Sequence, residues 1–430
     1  MGGRISEEIY KARSNMKVLI LAGGIGKRMV PFKTEKYKIK FLGTEIIKQK
    51  VEELIKLGLN DIIVVCNPVI QENLKNILQS GVKIIIQPQP LGMANAILCA
   101  KEILKTDDVL IVNPNDIFEP SIYHSILTEY KNSSFDSYIL AYKVQKYFPG
   151  GYLRTENSEI KEIIEKPQPG HEPSNLVNIV VHLHRDIRKL IEYLEKTSSE
   201  KDDVYEKSIS QMMKDGFRFK AVEYTGFWGS IKYPWDILNI KNYYMERRVT
   251  YISNLATISE KSIIEGPVII DDNVKIYENT KIKGPCYIGK NTIIGNNCLI
   301  RENTHIGSDC LVGNSTEIRN SYIGDNCKFH MNYVGDSILE GNILMGAGAI
   351  TANFRFDEKN IFCRIGNEIV NTNLNKFGCI IGKDAKIGVN TSIMPGIKIG
   401  SNSIIGPGIV LTEDIGDNKK VFIKHNLSIR

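Results

Sequence analysis

Residues 286–313 read CYIGKNTIIGNNCLIRENTHIGSDCLVG, and this stretch decides the fold of the second half of the chain. A branched apolar residue returns at every sixth position, at Ile288, Ile294, Ile300, Ile306 and Val312. A period of six fits neither an α-helix nor a simple alternating strand. A sustained fixed period is typical of a solenoid whose turns bury their apolar faces against one another. The pattern therefore predicts a triangular prism of short parallel strands.

The same period continues on both sides of this stretch. Further anchors lie at Ile276, Ile282, Ile318, Ile381, Ile387, Ile393, Ile399 and Ile405. Glycine follows many anchors, where we expect a chain that turns a corner to need a residue without a Cβ atom. With this spacing the region resembles the left-handed parallel β-helix of hexapeptide-repeat acyltransferases. The left hand is implied by the resemblance alone, because ordinary crossover rules favour the opposite hand.

The composition is that of a globular protein. A length of 430 residues predicts two or three domains. The formal charge of +6 is small and spread along the chain, so we expect no nucleic-acid partner. Without an apolar run that could cross a bilayer or an apolar signal core, we expect a cytoplasmic protein without a membrane partner. The 8 cysteines form no CxxC pair, which favours buried thiols over metal or disulfide chemistry.

The first half alternates short apolar strands with helices. This order predicts an α/β fold with an open, mostly parallel and Rossmann-like sheet that is covered on both faces. Two later strands, Tyr138–Lys143 and Glu159–Glu165, are predicted to form an added substrate-binding layer, and a helix near 234–247 closes this half. The predicted domains are an N-terminal extension 1–15, an α/β domain 16–247, a β-helix 250–415 and a C-terminal tail 416–430.

A glycine-rich loop follows the first strand. Residues 21–31 read LAGGIGKRMVP, and Lys38 lies seven residues further on. Glycines after a strand let backbone N–H groups approach a phosphate chain, and the cations Arg28 and Lys38 can neutralise it. A tight strand-to-helix turn with two surface cations would give the same pattern.

The whole stretch resembles the sugar-1-phosphate nucleotidyltransferases, whose signature is LAGG-x-G-x-R-L-x-P followed by a lysine. The resemblance implies Arg28 and Lys38 as catalytic residues and Asp116 as a ligand of Mg²⁺. It implies that the nucleotide is bound by Leu21, Ala22, Gly23, Gly24, Gly26, Gln87 and Gly92. It also implies that the sugar is bound by Gly151, Glu165, Lys166 and Asn178. In that family a sugar phosphate attacks the α-phosphorus of a nucleoside triphosphate and pyrophosphate leaves.

The chain departs from this family at several positions. Ser230 stands where the family has a second metal-binding carboxylate or an amide, and a neutral hydroxyl is a poorer ligand for Mg²⁺. Tyr37 and Ile39 replace the prolines beside the lysine, and Asn115 replaces the glycine before Asp116. Val180 is bulky where the family has an open sugar pocket. These departures predict a weakened or silent first site.

The six-residue period breaks after Ile323, and the break contains His330, Tyr333, Asn353 and Lys359. This set resembles the acetyltransferase half of the bifunctional enzymes that make UDP-N-acetylglucosamine, including their archaeal relatives. The resemblance implies His330 as the base that takes a proton from a sugar amine. It implies that the acceptor sugar phosphate is bound by Arg301, Arg319, Tyr333, Asn353 and Lys359. Imidazole suits this role because it titrates near neutrality.

Two of these residues also stand out by position. Arg301 and Arg319 occupy the slot after an anchor that glycine fills in neighbouring repeats. Cations 18 residues apart would stack about 5 Å from each other in successive coils, which is costly unless an anion lies between them. A solvated face is the alternative explanation.

The sequence thus predicts an enzyme that acetylates a hexosamine 1-phosphate with acetyl-CoA, fused to a nucleotidyltransferase-like half that is either active, weakened or silent in coupling a sugar phosphate to a nucleoside triphosphate. We expect a homotrimer, with acetyl-CoA bound between coils near 346–348 and 381–405, and with the irregular stretch 354–376 reaching a neighbouring chain. One alternative is a nucleotidyltransferase with a purely structural β-helix. Another is a catalytically silent regulatory subunit.

Overall fold

A computed structural model describes residues 16–24, 26–200 and 203–424. The predicted extension 1–15 and the end of the predicted tail lie outside the described residues. By their contacts the residues form two compact units. Of the described residues, the first unit comprises 16–24, 46–200 and 203–230, and the second comprises 26–45 and 231–424. The segment Gly26–Glu45, which carries Arg28 and Lys38, therefore packs with the C-terminal part of the chain.

A nine-stranded sheet forms the centre of the first unit. Its strands, in spatial order, are Lys83–Ile86, Asp61–Cys66, Met16–Ala22, Asp108–Val112, Leu176–His184, Ser137–Lys143, Phe219–Tyr224, Glu159–Glu165 and Gly151–Glu156. Leu176–His184 and Glu159–Glu165 run opposite to the other seven strands, so the sheet contains both parallel and antiparallel pairs. Val109, Leu110, Ile111 and Val112 are all 0% exposed, as expected for a strand covered on both faces.

The predicted added layer is wrong. Ser137–Lys143 lies inside the nine-stranded sheet, between Leu176–His184 and Phe219–Tyr224, and Glu159–Glu165 extends the same sheet. The first five residues of Ser137–Lys143 are buried, because both of its neighbours are strands and both of its faces are covered. The helices of this unit are Ile46–Lys56, Gln71–Ile77, Gly92–Cys99, Lys101–Leu104, Ser121–Asn132, Arg188–Lys196 and Val204–Lys214. A separate two-stranded ladder pairs Asp116–Phe118 with Trp228–Ser230.

The second unit is a parallel β-helix with three faces. The first face stacks Tyr251–Ile252, Val268–Ile270, Cys286–Ile288, Thr304–Ile306, Tyr322–Ile323, Ile338–Leu339, Ile380–Ile381 and Lys398–Ile399. The second face stacks Thr257–Ile258, Lys275–Ile276, Ile293–Ile294, Leu311–Val312, Lys328–Phe329, Leu344–Met345, Lys386–Ile387, Ile404–Ile405 and Lys420–Val421. The third face stacks Ile263–Glu265, Lys281–Lys283, Leu299–Ile300, Glu317–Arg319, Tyr333–Gly335, Ile350–Thr351, Ser392–Ile393 and Val410–Leu411.

The anchors fill the interior of this β-helix, and every anchor from Ile282 to Ile405 is at most 1% exposed. The glycines after the anchors are needed because successive coils stack closely, and not because the backbone torsion angles at the corners require glycine. A Cβ atom on Gly289 would lie 2.7 Å from the backbone of Gly307 in the next coil. The left-handed backbone at this corner belongs instead to Asn291, with φ of 59°.

The β-helix is irregular in two ways near the break in the sequence period. Regular coils pair residues 18 apart, as Cys286 with Thr304, but His305 pairs with Tyr322 and Glu317 pairs with Tyr333. The corner after Arg319 and the corner that contains His330 are therefore each one residue shorter. Further on, a bridge between Phe354 and Lys376 closes an inserted loop, which contains the hairpin Phe362–Ile365 and Glu368–Asn371.

Two smaller elements pack with the β-helix. The helix Asp236–Glu246 buries Ile237, Ile240 and Lys241. The segment Gly26–Glu45 contains the hairpin Lys40–Phe41 and Thr44–Glu45, and the ring of Phe41 stacks on Tyr244 at 5.1 Å. Among the described residues, none of the helices has the length and apolar character needed to span a bilayer.

Candidate active sites

A column of cations runs along the third face of the β-helix. The strand register aligns Lys283 with Arg301, and Arg301 with Arg319. The next residue in the column is Gly335, which pairs with Arg319. Three stacked positive charges therefore end at a residue without a side chain. Lys283, which sequence reasoning missed, occupies the same slot after an anchor as the two arginines.

Each cation of this column has a carboxylate nearby, and Glu302 lies 3.9 Å from Lys283 and 3.7 Å from Arg301. The Nη1 atom of Arg301 donates to Glu317 at 3.2 Å, and Nε of Arg319 lies 3.6 Å from Asp336. The side chains of Arg301 and Arg319 remain 36% and 25% exposed. Donors on both guanidinium groups therefore remain available to an anion, and a phosphate would relieve the repulsion between the stacked cations.

Polar side chains converge on the space above Gly335. A Cβ atom placed on Gly335 would lie 2.7 Å from the Tyr333 hydroxyl and 2.8 Å from Nδ2 of Asn353. The Tyr333 hydroxyl lies within the electrostatic reach of Arg319, while partial burial raises the pKa of that hydroxyl. The structure thus brings together Arg319, Tyr333 and Asn353, three of the residues proposed from the sequence, beside a position where a Cβ atom would clash.

A buried network supports this convergence from behind. Asp336 is 2% exposed and accepts hydrogen bonds from Nδ2 of Asn353 and, at 2.6 Å, from Nδ2 of Asn320. The Oδ1 atom of Asn320 accepts from the ammonium group of Lys241 at 2.9 Å, and the backbone carbonyl of Asn303 accepts from it at 2.6 Å. Lys241 is 0% exposed, and burial lowers its pKa to about 7. No sequence signal indicated Lys241, because a lysine in an amphipathic helix is normally solvated.

His330 lies at one of the shortened corners with its backbone fixed and its side chain exposed. Its N–H donates to Oδ1 of Asn332 at 2.7 Å, and its carbonyl accepts from the Thr316 hydroxyl. Asn332 in turn donates to the carbonyls of Gly346 and Ala349. The corner is thus rigid, while the imidazole is open to a substrate. Lys359 is exposed on the inserted loop, where its backbone N–H donates to Asp357.

An apolar edge lies beside His330, between the second and third faces. It consists of large side chains that are 40% to 59% exposed, namely Met331, Leu344, Ile350, Val389 and Val410. Gly346 lies at this edge, where a Cβ atom would be 2.8 Å from the backbone of Val389 in the next coil. Contiguous exposed apolar side chains typically mark a binding surface.

In the first unit, the glycine loop packs on a buried glutamine. Gln87 is 2% exposed, and its Oε1 atom occupies the space that a Cβ atom on Gly23 would need. Its Nε2 atom donates to the carbonyl of Gly92 and to Asn95, both at 3.0 Å. Gln87 therefore ties the loop after Met16–Ala22 to the helix Gly92–Cys99. A Cβ atom on Gly24 would meet nothing within 4 Å, so the backbone there is open to a phosphate.

The predicted metal ligand Asp116 is already engaged by protein groups. Asp116 is 5% exposed, and it pairs with Ser230 in the antiparallel ladder. Trp228 donates its indole N–H to the carboxylate at 3.2 Å, and the buried ammonium group of Lys50 interacts with it electrostatically. The described residues contain no group of three or more His, Cys, Asp or Glu that could hold a metal ion. This donor set does not fit a resident Mg²⁺ ion, and we derive no step through one.

The predicted sugar-binding residues of the first unit lie together at one end of the sheet. Gly151 pairs with Glu165, and a Cβ atom on Gly151 would lie 3.0 Å from the Glu165 carboxylate and 3.7 Å from Cβ of Asn178. Lys166 forms an ion pair with Glu165 at 3.0 Å. Val180 lies at a bulge of Leu176–His184 and packs against the apolar core. Gly151, Glu165 and Asn178 thus form a small polar cluster, which we call the polar pocket because the resemblance assigns the sugar to these residues.

The remaining predicted residues, Arg28 and Lys38, lie in the second unit. The guanidinium carbon of Arg28 is 6.0 Å from the centroid of the Tyr233 ring, and Lys38 pairs with Glu35 at 3.2 Å. Gly26 precedes them with φ of 68°, a left-handed conformation that favours glycine.

Both halves of the chain match known families. The family described as "Nucleotidyl transferase" matches residues 17–246, and "Bacterial transferase hexapeptide (six repeats)" matches residues 267–302, 285–320 and 378–412. The chain is 33% identical over 410 residues to the "Bifunctional sugar-1-phosphate nucleotidylyltransferase/acetyltransferase" of Sulfurisphaera tokodaii, which covers 93% of this chain and 98% of that protein. It is also 33% identical to the "Bifunctional protein GlmU" of Methanococcus maripaludis and of Methanococcus aeolicus, each covering 96% of this chain and 99% of the relative. These matches confirm the predicted fold class, an α/β nucleotidyltransferase-like domain followed by a left-handed β-helix.

Proposed function

We propose that this chain, which belongs to the family of bifunctional sugar-1-phosphate nucleotidylyltransferase/acetyltransferases, transfers an acetyl group from acetyl-CoA to the amine of a hexosamine 1-phosphate. The observation that carries the proposal is the convergence of Tyr333, Asn353 and Arg319 over Gly335, at the end of the cation column. Sugar hydroxyl groups suit the hydrogen-bonding side chains. A phosphate suits the cations.

In the proposed reaction the imidazole of His330 accepts a proton from the substrate ammonium group, which a protonated amine must lose before it can attack. The amine nitrogen then forms a bond to the carbonyl carbon of the thioester, and the C–S bond breaks. The CoA sulfur leaves with the electron pair, the nitrogen loses a second proton as it becomes an amide, and the sulfur takes up a proton. General-base catalysis of this kind contributes about 10²- to 10⁴-fold to the rate.

The cation column explains selectivity for a phosphorylated acceptor. Arg301 and Arg319 have forked guanidinium groups that match the oxygens of a phosphate, while Glu317 and Asp336 keep each group oriented. Held by its phosphate at the column, the sugar would extend over Gly335 toward His330. Lys359 stays a predicted contact from the inserted loop.

We further propose that the apolar edge beside His330 is covered by acetyl-CoA and by further copies of this chain, as in the predicted homotrimer. Exposed side chains such as Leu344 and Val410 favour burial against a second β-helix over permanent contact with water. The inserted loop carries Phe354, Phe356 and Phe362, which are also exposed and suit the same interface. A cytoplasmic location stays a prediction, and it agrees with the use of acetyl-CoA and nucleoside triphosphates.

The second proposed activity is nucleotidyl transfer to a sugar 1-phosphate in the first half of the chain. It is supported by the open backbone at Gly24 and by the polar pocket of Gly151, Glu165 and Asn178. In this activity the phosphate oxygen of the sugar forms a bond to the α-phosphorus, and pyrophosphate leaves. Because Asp116 faces Ser230 and not a second carboxylate, we expect this activity to be slower than in relatives with two carboxylates.

Two assays on the full chain test the proposals separately. Release of free CoA thiol is measured with glucosamine 1-phosphate and galactosamine 1-phosphate, and release of pyrophosphate is measured across a panel of nucleotides and sugar phosphates. We expect thiol release with at least one hexosamine phosphate. Absence of thiol release at high protein concentration would reject acetyl transfer. It would favour the alternative of a nucleotidyltransferase with a purely structural β-helix. Absence of both products would favour a silent regulatory subunit.

A further inference from the structure

A chain of buried side chains leads away from the polar pocket of the first unit. It starts at Asn178, whose Oδ1 atom lies 2.6 Å from Nε2 of His182. The Nδ1 atom of His182 lies 2.6 Å from the Tyr205 hydroxyl, and that hydroxyl lies 3.0 Å from Nε2 of His184. The Nδ1 atom of His184 lies 2.8 Å from the Ser137 hydroxyl. Five side chains are thus joined by four consecutive hydrogen bonds.

The bulge in Leu176–His184 makes this chain possible. Asn178 and His182 are four residues apart, and the register of the strand against Ser137–Lys143 shifts between Ile179 and His182. Without the bulge, residues 178 and 182 of one strand would lie too far apart for a short hydrogen bond. His182 is 0% exposed, and His184, Tyr205 and Ser137 are each 1% exposed. Water therefore does not compete for these hydrogen bonds.

Neutral imidazole has one N–H group and one acceptor nitrogen, so the hydrogen atoms along this chain are interdependent. Three arrangements make all four bonds, but in one of them Tyr205 accepts from both rings, and its buried hydroxyl hydrogen is left without an acceptor within the described residues. Two orders then remain to be compared. In the first, each group donates toward Asn178, and the Asn178 oxygen accepts from His182. In the second, each group donates away from Asn178, whose NH₂ group then donates to His182. Burial keeps both rings neutral by lowering the pKa of each to about 3.

Ser137 decides between the two orders. In the first order its hydroxyl donates to Nδ1 of His184. In the second order its hydroxyl accepts from His184, and its own hydrogen has no acceptor within the described part of the chain. A buried hydroxyl without a partner costs free energy. The first order is therefore the stable one, and it agrees with the placement of the Asn178 oxygen toward His182.

We infer that the four other members of the chain, Ser137, His184, Tyr205 and His182, are positioning residues. They hold Asn178 with its NH₂ group facing the polar pocket. That NH₂ group makes no other hydrogen bond within the described residues and stays accessible. Asn178 then acts as an obligatory donor, which selects a sugar substituent with an acceptor oxygen, such as a hydroxyl or an amide carbonyl. An ammonium group has only donors and is disfavoured there. This inference rests on the proposed nucleotidyl transfer.

The first test measures the proton order directly. In the full chain labelled with ¹⁵N-histidine, nuclear magnetic resonance reports which ring nitrogen carries hydrogen, and His182→Gln and His184→Gln assign the signals. We expect both rings to be protonated at Nε2 and bare at Nδ1. A proton on Nδ1 of either ring overturns the inference. This measurement does not depend on catalysis, so it separates failure of the inference from failure of the proposed function.

The second test changes the far end of the chain. Ser137→Ala removes the group that decides the order and does not touch Asn178. Ser208→Ala is the matched control, because Ser208 is also buried and its hydroxyl contacts Thr197 and Val204. We expect Ser137→Ala to raise the KM for the sugar phosphate by about tenfold in pyrophosphate release, with kcat and the nucleotide KM within about twofold.

Thermal unfolding and acetyl transfer by the same protein report whether the Ser137→Ala chain is folded. If the parent protein releases no pyrophosphate, calorimetric binding of the sugar phosphate replaces KM. An unchanged KM or binding constant in Ser137→Ala overturns the positioning role. So does an equal rise of the sugar and nucleotide KM values.

Discussion

The two candidate sites differ in how their polar groups are used. In the first unit, Asp116 accepts from Trp228 and interacts with Lys50, and Gln87 donates to Gly92 and Asn95. On the β-helix, Asn353 and Arg319 are likewise engaged by Asp336, but the side chains of Arg301 and Arg319 stay 36% and 25% exposed and the His330 imidazole is exposed. A motif match thus says less about activity than the number of polar side chains that a substrate can reach, and Asp116 and Gln87 are only 5% and 2% exposed. By that criterion, the β-helix carries the stronger site.

The largest expected effect separates the two sites within one chain. We expect His330→Ala to lower kcat for acetyl transfer by about 10²- to 10⁴-fold, because the imidazole is the proposed base. Pyrophosphate release should stay within about twofold. The matched control is His124→Gln, an exposed histidine on the helix Ser121–Asn132. Equal loss of both activities in His330→Ala would contradict the separation of the sites.

A second change tests the network behind Gly335. Lys241→Met removes the buried ammonium group that interacts with Asp336 and bonds to Asn320. We expect Asp336 to draw Arg319 away from the substrate, which raises the KM for the hexosamine phosphate by about tenfold and leaves the acetyl-CoA KM unchanged. Adding Asp336→Asn should recover part of the loss. No recovery in the double variant would show that Lys241 acts only through stability.

A further substitution tests whether the missing carboxylate limits activity at the weaker site, in the first unit. Ser230 lies opposite Asp116 in the ladder, so Ser230→Asp places two carboxylates side by side. We expect Mg²⁺-dependent pyrophosphate release to rise by about three- to tenfold, since hard cations prefer charged oxygens. Ser230→Asn tests whether charge or coordination matters. An unchanged rate with both variants would show that the engaged state of Asp116 is the limiting defect.

The smallest expected effect concerns acid stability of the first unit. His182 and His184 have a pKa lowered to about 3 by burial, whereas an unfolded histidine takes up its proton near pH 6.5. The unfolded state therefore binds more protons between these values, and the free energy of unfolding falls as pH drops below about 6.5. The slope is at most about 1.4 kcal/mol per pH unit for each ring.

His184→Phe removes one of the two rings, so the slope should fall by up to about 1.4 kcal/mol per pH unit relative to the parent chain and to His124→Gln. Urea unfolding, followed by circular dichroism between pH 4 and pH 8, measures it. Identical slopes in the three proteins would contradict the neutral buried state of His184.

Much of the β-helix could be predicted from sequence, because a six-residue period specifies which side chains point inward. The prediction placed the anchors correctly, and four of the thiols that it expected to be buried, those of Cys286, Cys298, Cys310 and Cys327, are buried and free. The inserted loop between Phe354 and Lys376 was also visible as a loss of period. The roles proposed for the site residues stay predictions.

Other features could not be predicted, because they depend on long-range pairing. The shortened corners change which residues face each other, so Arg319 meets Gly335 and not a residue 18 positions on. Lys241 contacts Asn303 and Asn320, which are more than 60 residues away in sequence. The bulge that joins Asn178 to His182 likewise depends on the neighbouring strand Ser137–Lys143.

The most direct test of the cation column compares two acceptors. The ratio of kcat/KM for a hexosamine 1-phosphate to kcat/KM for the same hexosamine without phosphate isolates the contribution of the phosphate. We expect a ratio of about 10² to 10⁴ in the parent chain, because two guanidinium groups each contribute about 10- to 100-fold. In the double variant Arg301→Ala/Arg319→Ala the ratio should fall to within about tenfold of one, while Lys281→Ala on the same face leaves it unchanged. A ratio that survives the loss of both arginines would contradict the account.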